Sequence, residues 1–346
     1  MGRDRPRVVY FGMDSEFSSR PLLALLRSGA EVVAVVKPIG GVALRRTNVA
    51  TRVPGLMTRV RAAWWHLWHG RGPPASADGT VPDDPFELAE ELRIPCFLVG
   101  DASASRALAV LRRLDADVYC VAFFNQLFRR GLLALPRLGA VNLHPSLLPA
   151  YRGPAPLFWT FHDALPETGL TLHLLAPGED DGDILQQRRL PMPDGLRGPA
   201  LVSAMAREGA EMMVQGVWDL FRGTAQPTRQ ELARAFRSPR PEGEDLRVRF
   251  DRDARAVFNF VRGVSLWVPL WAQVGHDRVD VVDAQGFEPG KTLPVDHVWS
   301  GTTLLVQCRD GVVALTVRAR AWGFPSAPTA PHKAETPRPD AEKRPH

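Results

Sequence analysis

The sequence predicts an α/β protein: a doubly wound, mostly parallel sheet, followed by a smaller domain of β-barrel type. Three observations lead there. Up to about residue 222 of 346, short β-branched runs alternate with amphipathic helical stretches. From 223 to 243 the chain is rich in Pro, Arg, Gln and Glu and loses its periodicity, as a linker does. From about Leu246, short strand-like runs are separated by Gly, Asp and Pro, the pattern of a small barrel.

Residues 7–12 form a short buried strand ending at Gly12. Leu22, Leu23, Leu25 and Leu26 mark a helix that Gly29 stops, and Val32 to Val36 is a second β-branched run. Strand, helix, strand is a βαβ unit and implies parallel pairing. After an insert at 39–84 the alternation resumes with a helix at 85–93, a strand at 95–99, a helix at 102–114 and a strand at 117–123. Ala140 to Leu143 is the next strand, and ligands in open parallel sheets sit beyond the carboxyl ends of strands. A helix follows at 155–165, an alternating strand at Gly169 to Leu175, and a long helix at 197–222. The second domain, 244–324, opens with a helix near 253–262. Strands follow at Trp271–Val274, Val279–Val282, Thr303–Cys308 and Val312–Val317. The Pro-, Ala-, Lys- and Glu-rich tail, 325–346, is expected to be disordered.

Hydrophobic residues make up 45% of the chain and charged ones 23%, the balance of a soluble globular protein. No run approaches the ~20 apolar residues of a membrane-spanning helix, so no membrane insertion is expected. The charged start leads straight into Val8-Val9-Tyr10-Phe11, without the apolar core of a secretory signal. Cys96, Cys120 and Cys308 are far apart and in apolar or strand-like contexts. They make neither a metal-ligand spacing nor a disulfide framework, which points to a reducing cytoplasm.

The net charge of +5 is unevenly spread. From Val32 to Ala77 there is no acidic residue, while Lys37, Arg45, Arg46, Arg52, Arg59, Arg61 and Arg71 all fall there. Such a stretch suits an anionic partner. Within it Leu56, Val60, Trp64, Leu67 and Trp68 share one helical face. That face suits RNA, a membrane surface or a partner, and equally a helix packed on its own domain. Gly40-Gly41 is not a dinucleotide fingerprint, and Gly12-Met13-Asp14 lacks the ending of a Walker loop.

Chemistry concentrates in two runs. Asn142-Leu143-His144-Pro145-Ser146-Leu147-Leu148-Pro149-Ala150-Tyr151-Arg152-Gly153 follows the strand at 140, and Gly178-Glu179-Asp180-Asp181-Gly182-Asp183 comes later. Alternate residues of a strand share a face, so Asn142 and His144 project together. An amide N–H and a protonated imidazole can both donate to an oxygen that gains charge as an amine attacks a formyl carbon. A nearby carboxylate favours the imidazolium and can take the amine's proton; Asp180 is the candidate. No metal is required. Singly, the Asn reads equally as a turn residue, the His as a satisfied core group, and the acidic run as a solvated turn. A hard-cation loop is disfavoured because the regular ligand spacing is missing.

The Asn142-x-His144 pair, the Ser146–Pro149 run with Tyr151-Arg152-Gly153, and Asp180-x-Gly182-Asp183 together resemble the 10-formyltetrahydrofolate-dependent formyltransferase family. The resemblance implies that Asn142, His144 and Asp180 are the catalytic trio. Glu167-Thr168-Gly169-Leu170-Thr171 is similar to the family's strand before the aspartate. Phe123-Phe124-Asn125-Gln126-Leu127 resembles its pterin-bordering segment, which implies donor contacts from Phe124, Asn125, Gln126, Leu127 and Asp180. Gly12 to Phe17 stands where members carry a Gly-Thr-Pro-like turn. Arg262 to Trp271 resembles the opening of the C-terminal domain of methionyl-tRNA formyltransferases, an open β-barrel that helps to hold tRNA. The insert departs from the family's shorter basic, Gly-rich loop in length and in its tryptophans.

The resemblance, strongest to the methionyl-tRNA members, implies formyl transfer from 10-formyltetrahydrofolate, as co-substrate, to a primary amine, with methionyl-tRNA as leading acceptor. Ser146, Leu147, Leu148, Pro149, Arg152, Arg45 and Arg46 are the expected acceptor-side residues. An amino sugar or amino acid is the alternative acceptor. Outside transfer, a formyltetrahydrofolate hydrolase and a non-catalytic folate-binding protein also stay open.

Overall fold

The computed structural model describes residues 3–39, 49–52 and 81–318. Arg45, Arg46, the aromatic face at 56–68, most of the 39–84 insert and the 325–346 tail lie outside them. The chain divides into two compact units. One holds 1–157, 165–193 and 199–239, the other 158–164, 194–198 and 240–346.

The first unit alternates as follows: β1 (Arg7–Gly12), α1 (Glu16–Arg27), β2 (Glu31–Pro38), β3 (Val49–Arg52), α2 (Pro85–Glu91), β4 (Cys96–Val99), α3 (Ser105–Arg112), β5 (Val118–Ala122), α4 (Arg130–Leu133) and β6 (Ala140–His144). After α5 (Pro156–His162), which from residue 158 belongs to the second unit, come β7 (Glu167–Leu174), β8 (Ile184–Pro191) and α6 (Gly198–Arg222). The eight strands lie in the order β3-β4-β2-β1-β5-β6-β7-β8. Pairing is parallel from β4 to β6 and antiparallel at both ends.

Local chemistry explains the starts of the helices. Ser15 caps α1 by accepting from the Phe17 amide, and Asp84 caps α2 by accepting from the Phe86 amide ahead of Pro85 at the first helical position. The central strands are buried on both faces, which is why they read as unbroken apolar runs. Val9, Phe11, Val36, Val99, Tyr119 and Val121 form one core face. Phe11 is its hub, with ring centroids 4.8 Å from Phe128, 5.2 Å from Tyr119 and 5.5 Å from Phe124.

Several elements differ from the sequence reading. The insert contributes β3, which pairs antiparallel with β4. β8 was not expected, because Gln186, Gln187, Arg188 and Arg189 give it little apolar signal. It is an edge strand, and its arginines pair with Glu208, Glu211 and Glu167. The expected linker is tied to the first unit up to residue 239. Thr228 exchanges both backbone bonds with Ile184, and Arg152 accepts from Ser238 while donating to Phe236. Backbone groups that find partners on a neighbouring surface do not behave as a free tether.

The second unit carries α7 (Ala254–Val264) and β9 (Leu270–Val274), β10 (Asp277–Pro289), β11 (His297–Ser300), β12 (Thr303–Gln307) and β13 (Gly311–Arg318). The sheet is antiparallel throughout, in the order β11-β12-β13-β10-β9, and the β9 edge is bridged by Arg247 and Val248 at Trp271. Asp310 caps α7 by accepting from the Ala254 amide at 2.7 Å. Among the described residues no helix is long and apolar enough to cross a membrane. The three cysteines are buried and form no disulfide.

One buried charge anchors the amino end of the central sheet. Asp117 is fully buried and accepts from the Arg7 amide at 2.9 Å, Arg3 Nη1 at 2.7 Å and Arg137 Nε at 2.9 Å. Burial alone would raise its pKa; the Arg7 amide and the two guanidiniums outweigh that and lower it. A carboxylate with a depressed folded pKa stabilises above its unfolded pKa and loses that contribution as pH falls. Asp117→Asn is expected to lower the unfolding free energy by about 1.5–3 kcal/mol at neutral pH. The gap should narrow below about pH 4. Urea unfolding at several pH values checks this, and equal midpoints at neutral pH would contradict it.

Candidate active site

β6 ends at His144 because Pro145 follows and cannot continue the ladder. β7 runs antiparallel beside it, with Asn142 opposite His173 and His144 opposite Thr171. Four polar side chains thus arise from two alternate rungs of one ladder, with Leu143 opposite Leu172 between them. Thr171 fixes the chain after β6: its hydroxyl donates to the Ser146 carbonyl at 2.7 Å and accepts from the Leu148 amide at 3.0 Å.

The acidic loop brings Asp180 to this pair of strands. Asn142 Nδ2 lies 3.5 Å from Asp180 Oδ1, and His144 Nδ1 lies 3.6 Å from Oδ2. His173 Nε2 lies 3.6 Å from Oδ1. The Gly153 amide donates to Oδ2 at 2.8 Å. Gly153 has φ +99°, a conformation that favours glycine, and this turn aims its amide at the carboxylate. Gly182 is required for a different reason: a Cβ there would sit 1.9 Å from the Leu174 carbonyl oxygen, so only glycine lets the loop lie this close to β7. Asp180 itself sits at φ +50° and Tyr151 at φ +57°, sparsely populated regions that cluster at functional sites.

The bonding pattern sets tautomers. His144 Nε2 lies 2.8 Å from the Tyr151 carbonyl, which only accepts, so Nε2 carries the proton. His173 Nδ1 lies 2.8 Å from the Leu174 carbonyl and carries its proton for the same reason. His173 Nε2 is then an acceptor and takes the Asn142 amide N–H at 3.1 Å. Both polar neighbours of that amide nitrogen are acceptors, which fixes which way Asn142 points.

The sequence suggested a protonated His144 favoured by Asp180. The structure reverses the balance. Burial lowers the His144 pKa, and this outweighs the raising effects of Asp180 and the Tyr151 carbonyl. The resting imidazole is therefore neutral, with the bare Nδ1 turned to Asp180. For Asp180, burial raises the pKa, but the positive charge of His144 and His173 once protonated, together with the Gly153 amide, outweighs it and holds the carboxyl well below the usual range. A permanent anion thus sits beside an imidazole that can accept a proton. His144 is 5% exposed and His173 0%, whereas Asp180 is 14% exposed, so solvent reaches the cluster on the carboxylate side.

His173 was missed in the sequence reading. The signal was available: it is two residues past Thr171 on the same strand face, and its neighbours Leu172 and Leu174 mark the opposite face as apolar. Other predicted residues take varied places. Ser146 is buried with its hydroxyl donating to the Ala150 carbonyl, and Leu148 is buried with its carbonyl accepting from Gln187. Leu147 and Pro149 are half-buried in the same loop. Arg152 donates to Gln230 at 2.6 Å. Gln126 bonds the Ala102 amide and the Gly100 carbonyl, so its side chain braces two loops. Phe124 packs edge-on against Phe11 and Phe128, while Asn125 and Leu127 are exposed. Among the described residues no group of three His, Cys, Asp or Glu side chains is arranged to hold a metal ion.

Two family models match the chain: "Formyl transferase" over residues 81–217 and "Formyl transferase, C-terminal domain" over 242–321. The methionyl-tRNA formyltransferase of Synechococcus sp. is 35% identical over 194 residues, which span 56% of this chain and 60% of that protein. That of Staphylococcus aureus is 30% identical over 211 residues, covering 61% of this chain and 68% of that protein. An N-formyltransferase from Helicobacter canadensis, solved with folinic acid and dTDP-3-aminofucose, shares the fold. It aligns with a TM-score of 0.61 at 12% identity over 90% of this chain and 99% of its own. The chain belongs to the formyl transferase family.

The charge state is testable without any substrate. His144 is expected to titrate below the ordinary histidine value of about 6.5, and Asp180→Asn to push it lower still. A lowered folded pKa means stability that is present above the unfolded pKa and lost as pH falls through the folded one. Acidification below about pH 6.5 should therefore destabilise the protein more than its His144→Gln variant. Histidine NMR titration and thermal melts across pH decide it; a normal or raised His144 value refutes the assignment.

Proposed function

We propose that this member of the formyl transferase family moves a formyl group from 10-formyltetrahydrofolate to a primary amine, with the amino group of methionyl-tRNA as acceptor. The convergence of Asn142, His144 and His173 on the ionised Asp180 carries the reading. The two-part family match and the methionyl-tRNA formyltransferase relatives support it. So does the basic, acid-free stretch from Val32 to Ala77, which suits a phosphate backbone. Buried cysteines that form no disulfide fit a reducing cytoplasm.

The chemistry follows from the resting charges. The amine nitrogen bonds to the formyl carbon, and its proton passes to His144 Nδ1. The imidazolium so formed gains the Asp180 carboxylate as a partner at the moment it becomes charged. The carbonyl oxygen gains negative charge, and the Asn142 N–H that makes only the long contact to Asp180 is the donor closest to hand. Collapse breaks the bond to N10 of the folate, and the proton held by His144 leaves with that nitrogen. Asp180 remains ionised throughout. Phe124 to Leu127, which follow β5 beside β6, are assigned to the donor and Arg152 to the acceptor; Arg45 and Arg46, outside the described residues, are assigned to the acceptor on sequence alone.

Tetrahydrofolate release is the assay, with methionyl-tRNA, amino-sugar nucleotides and free amino acids offered separately beside a control without acceptor. Release with methionyl-tRNA is expected. Release only with a small amine would move the acceptor, and release in the control would make the protein a hydrolase. His144→Ala should lower kcat by about 100- to 10,000-fold while donor binding persists. Wild-type turnover in that variant would remove His144 from the chemistry.

The insert gives an independent test. Replacing Arg45, Arg46, Arg59 and Arg61 by Ala should weaken tRNA binding and flatten its salt dependence. An unchanged salt slope would favour a small acceptor.

A further inference from the structure

The segment 224–239 binds both loops of the candidate site, and Gln230 stands at the junction. Gln230 is 6% exposed. Its Nε2 donates to the Asp180 carbonyl at 2.9 Å and to the Gly182 carbonyl at 2.6 Å. Its Oε1 accepts from Arg152 Nη2 at 2.6 Å. Carbonyls only accept and a guanidinium only donates, so the amide has a single orientation and both of its N–H groups are used. Around it, Arg237 pairs with Glu179 at 2.6 Å, and the Phe236 ring packs on Tyr151 at 4.5 Å.

This geometry links Gln230 to both sides of the Asp180 carboxylate. On one side it holds the backbone of Asp180, a non-glycine residue in the left-handed region. On the other it holds Arg152, whose neighbour Gly153 supplies the amide that fixes Oδ2. We propose that Gln230 is a positioning residue: it sets where the Asp180 carboxylate stands relative to His144, and through that the rate of formyl transfer. The proposal rests on the functional reading above and names a residue outside the catalytic trio. Gln230 touches none of the reacting atoms. Its effect belongs in kcat, because small misplacements of a reacting group cost rate far more than they cost binding.

The test uses the whole protein with Gln230→Met, which keeps length and shape but neither donates nor accepts at these positions. Gln230→Asn keeps the amide on a shorter stem and serves if the first variant does not fold. Both are uncharged, so they leave the electrostatics around His144, whose titratable neighbours are Asp180, His173 and Glu179, otherwise intact. The expected outcome is a fall in kcat of about 10- to 100-fold with the donor KM within about twofold. With the carboxylate displaced, the His144 titration should also move to lower pH. A variant that melts earlier but keeps kcat and the His144 titration would overturn the proposal and make Gln230 merely structural. If the wild-type protein releases no tetrahydrofolate with any amine, the functional reading falls instead. The His144 titration would still decide whether Gln230 positions Asp180.

Discussion

A buried carboxylate must be paired or give up its charge, and the candidate site is organised around that constraint. Asp180 accepts from the Gly153 amide, lies 3.5 Å from the Asn142 amide nitrogen, and has two imidazoles within 3.6 Å that stabilise its charge once they are protonated. These four partners come from three parts of the first unit. β6 supplies Asn142 and His144, β7 supplies His173, and the turn after β6 supplies Gly153. Displacing the acidic loop would leave the cluster without its charge and His144 without the group that stabilises its protonated form.

The strand ladder makes this convergence possible. The change from parallel to antiparallel pairing between β6 and β7 puts Asn142 directly opposite His173, where two side chains can bond across the pair. Thr171, two rungs further, then ties down the backbone after His144. Two close approaches complete the arrangement. Gly153 turns its amide toward the carboxylate, and Gly182 lets the acidic loop lie against the end of β7.

Electrostatics divides the labour between the two central groups. Asp180 keeps its charge because donors outweigh burial, and His144 loses its own because burial outweighs the carboxylate. An ionised acid beside a neutral base can carry a proton through a reaction and return to its starting state. The Nε2 proton of His144 is committed to the Tyr151 carbonyl, so the exchangeable position is Nδ1.

Much of this was legible in the sequence. Periodicity marked the central strands because they are buried on both faces, and the Asn142-x-His144 spacing placed two side chains on one face without further information. The acidic run identified Asp180 only together with the resemblance, since spacing alone left it a solvated turn. Other features depended on partners distant in sequence. β8 is an edge strand with polar residues on it, so hydrophobic patterning was silent. His173 acquires its role from pairing with Asn142, 31 residues away. Residues 224–239 lack periodicity and resemble a linker, yet their hydrogen bonds are made to loops that only the fold brings near. The protonation of His144 was decided by tertiary structure for the same reason: a charge's neighbours can be listed from sequence, but the water excluded around it cannot.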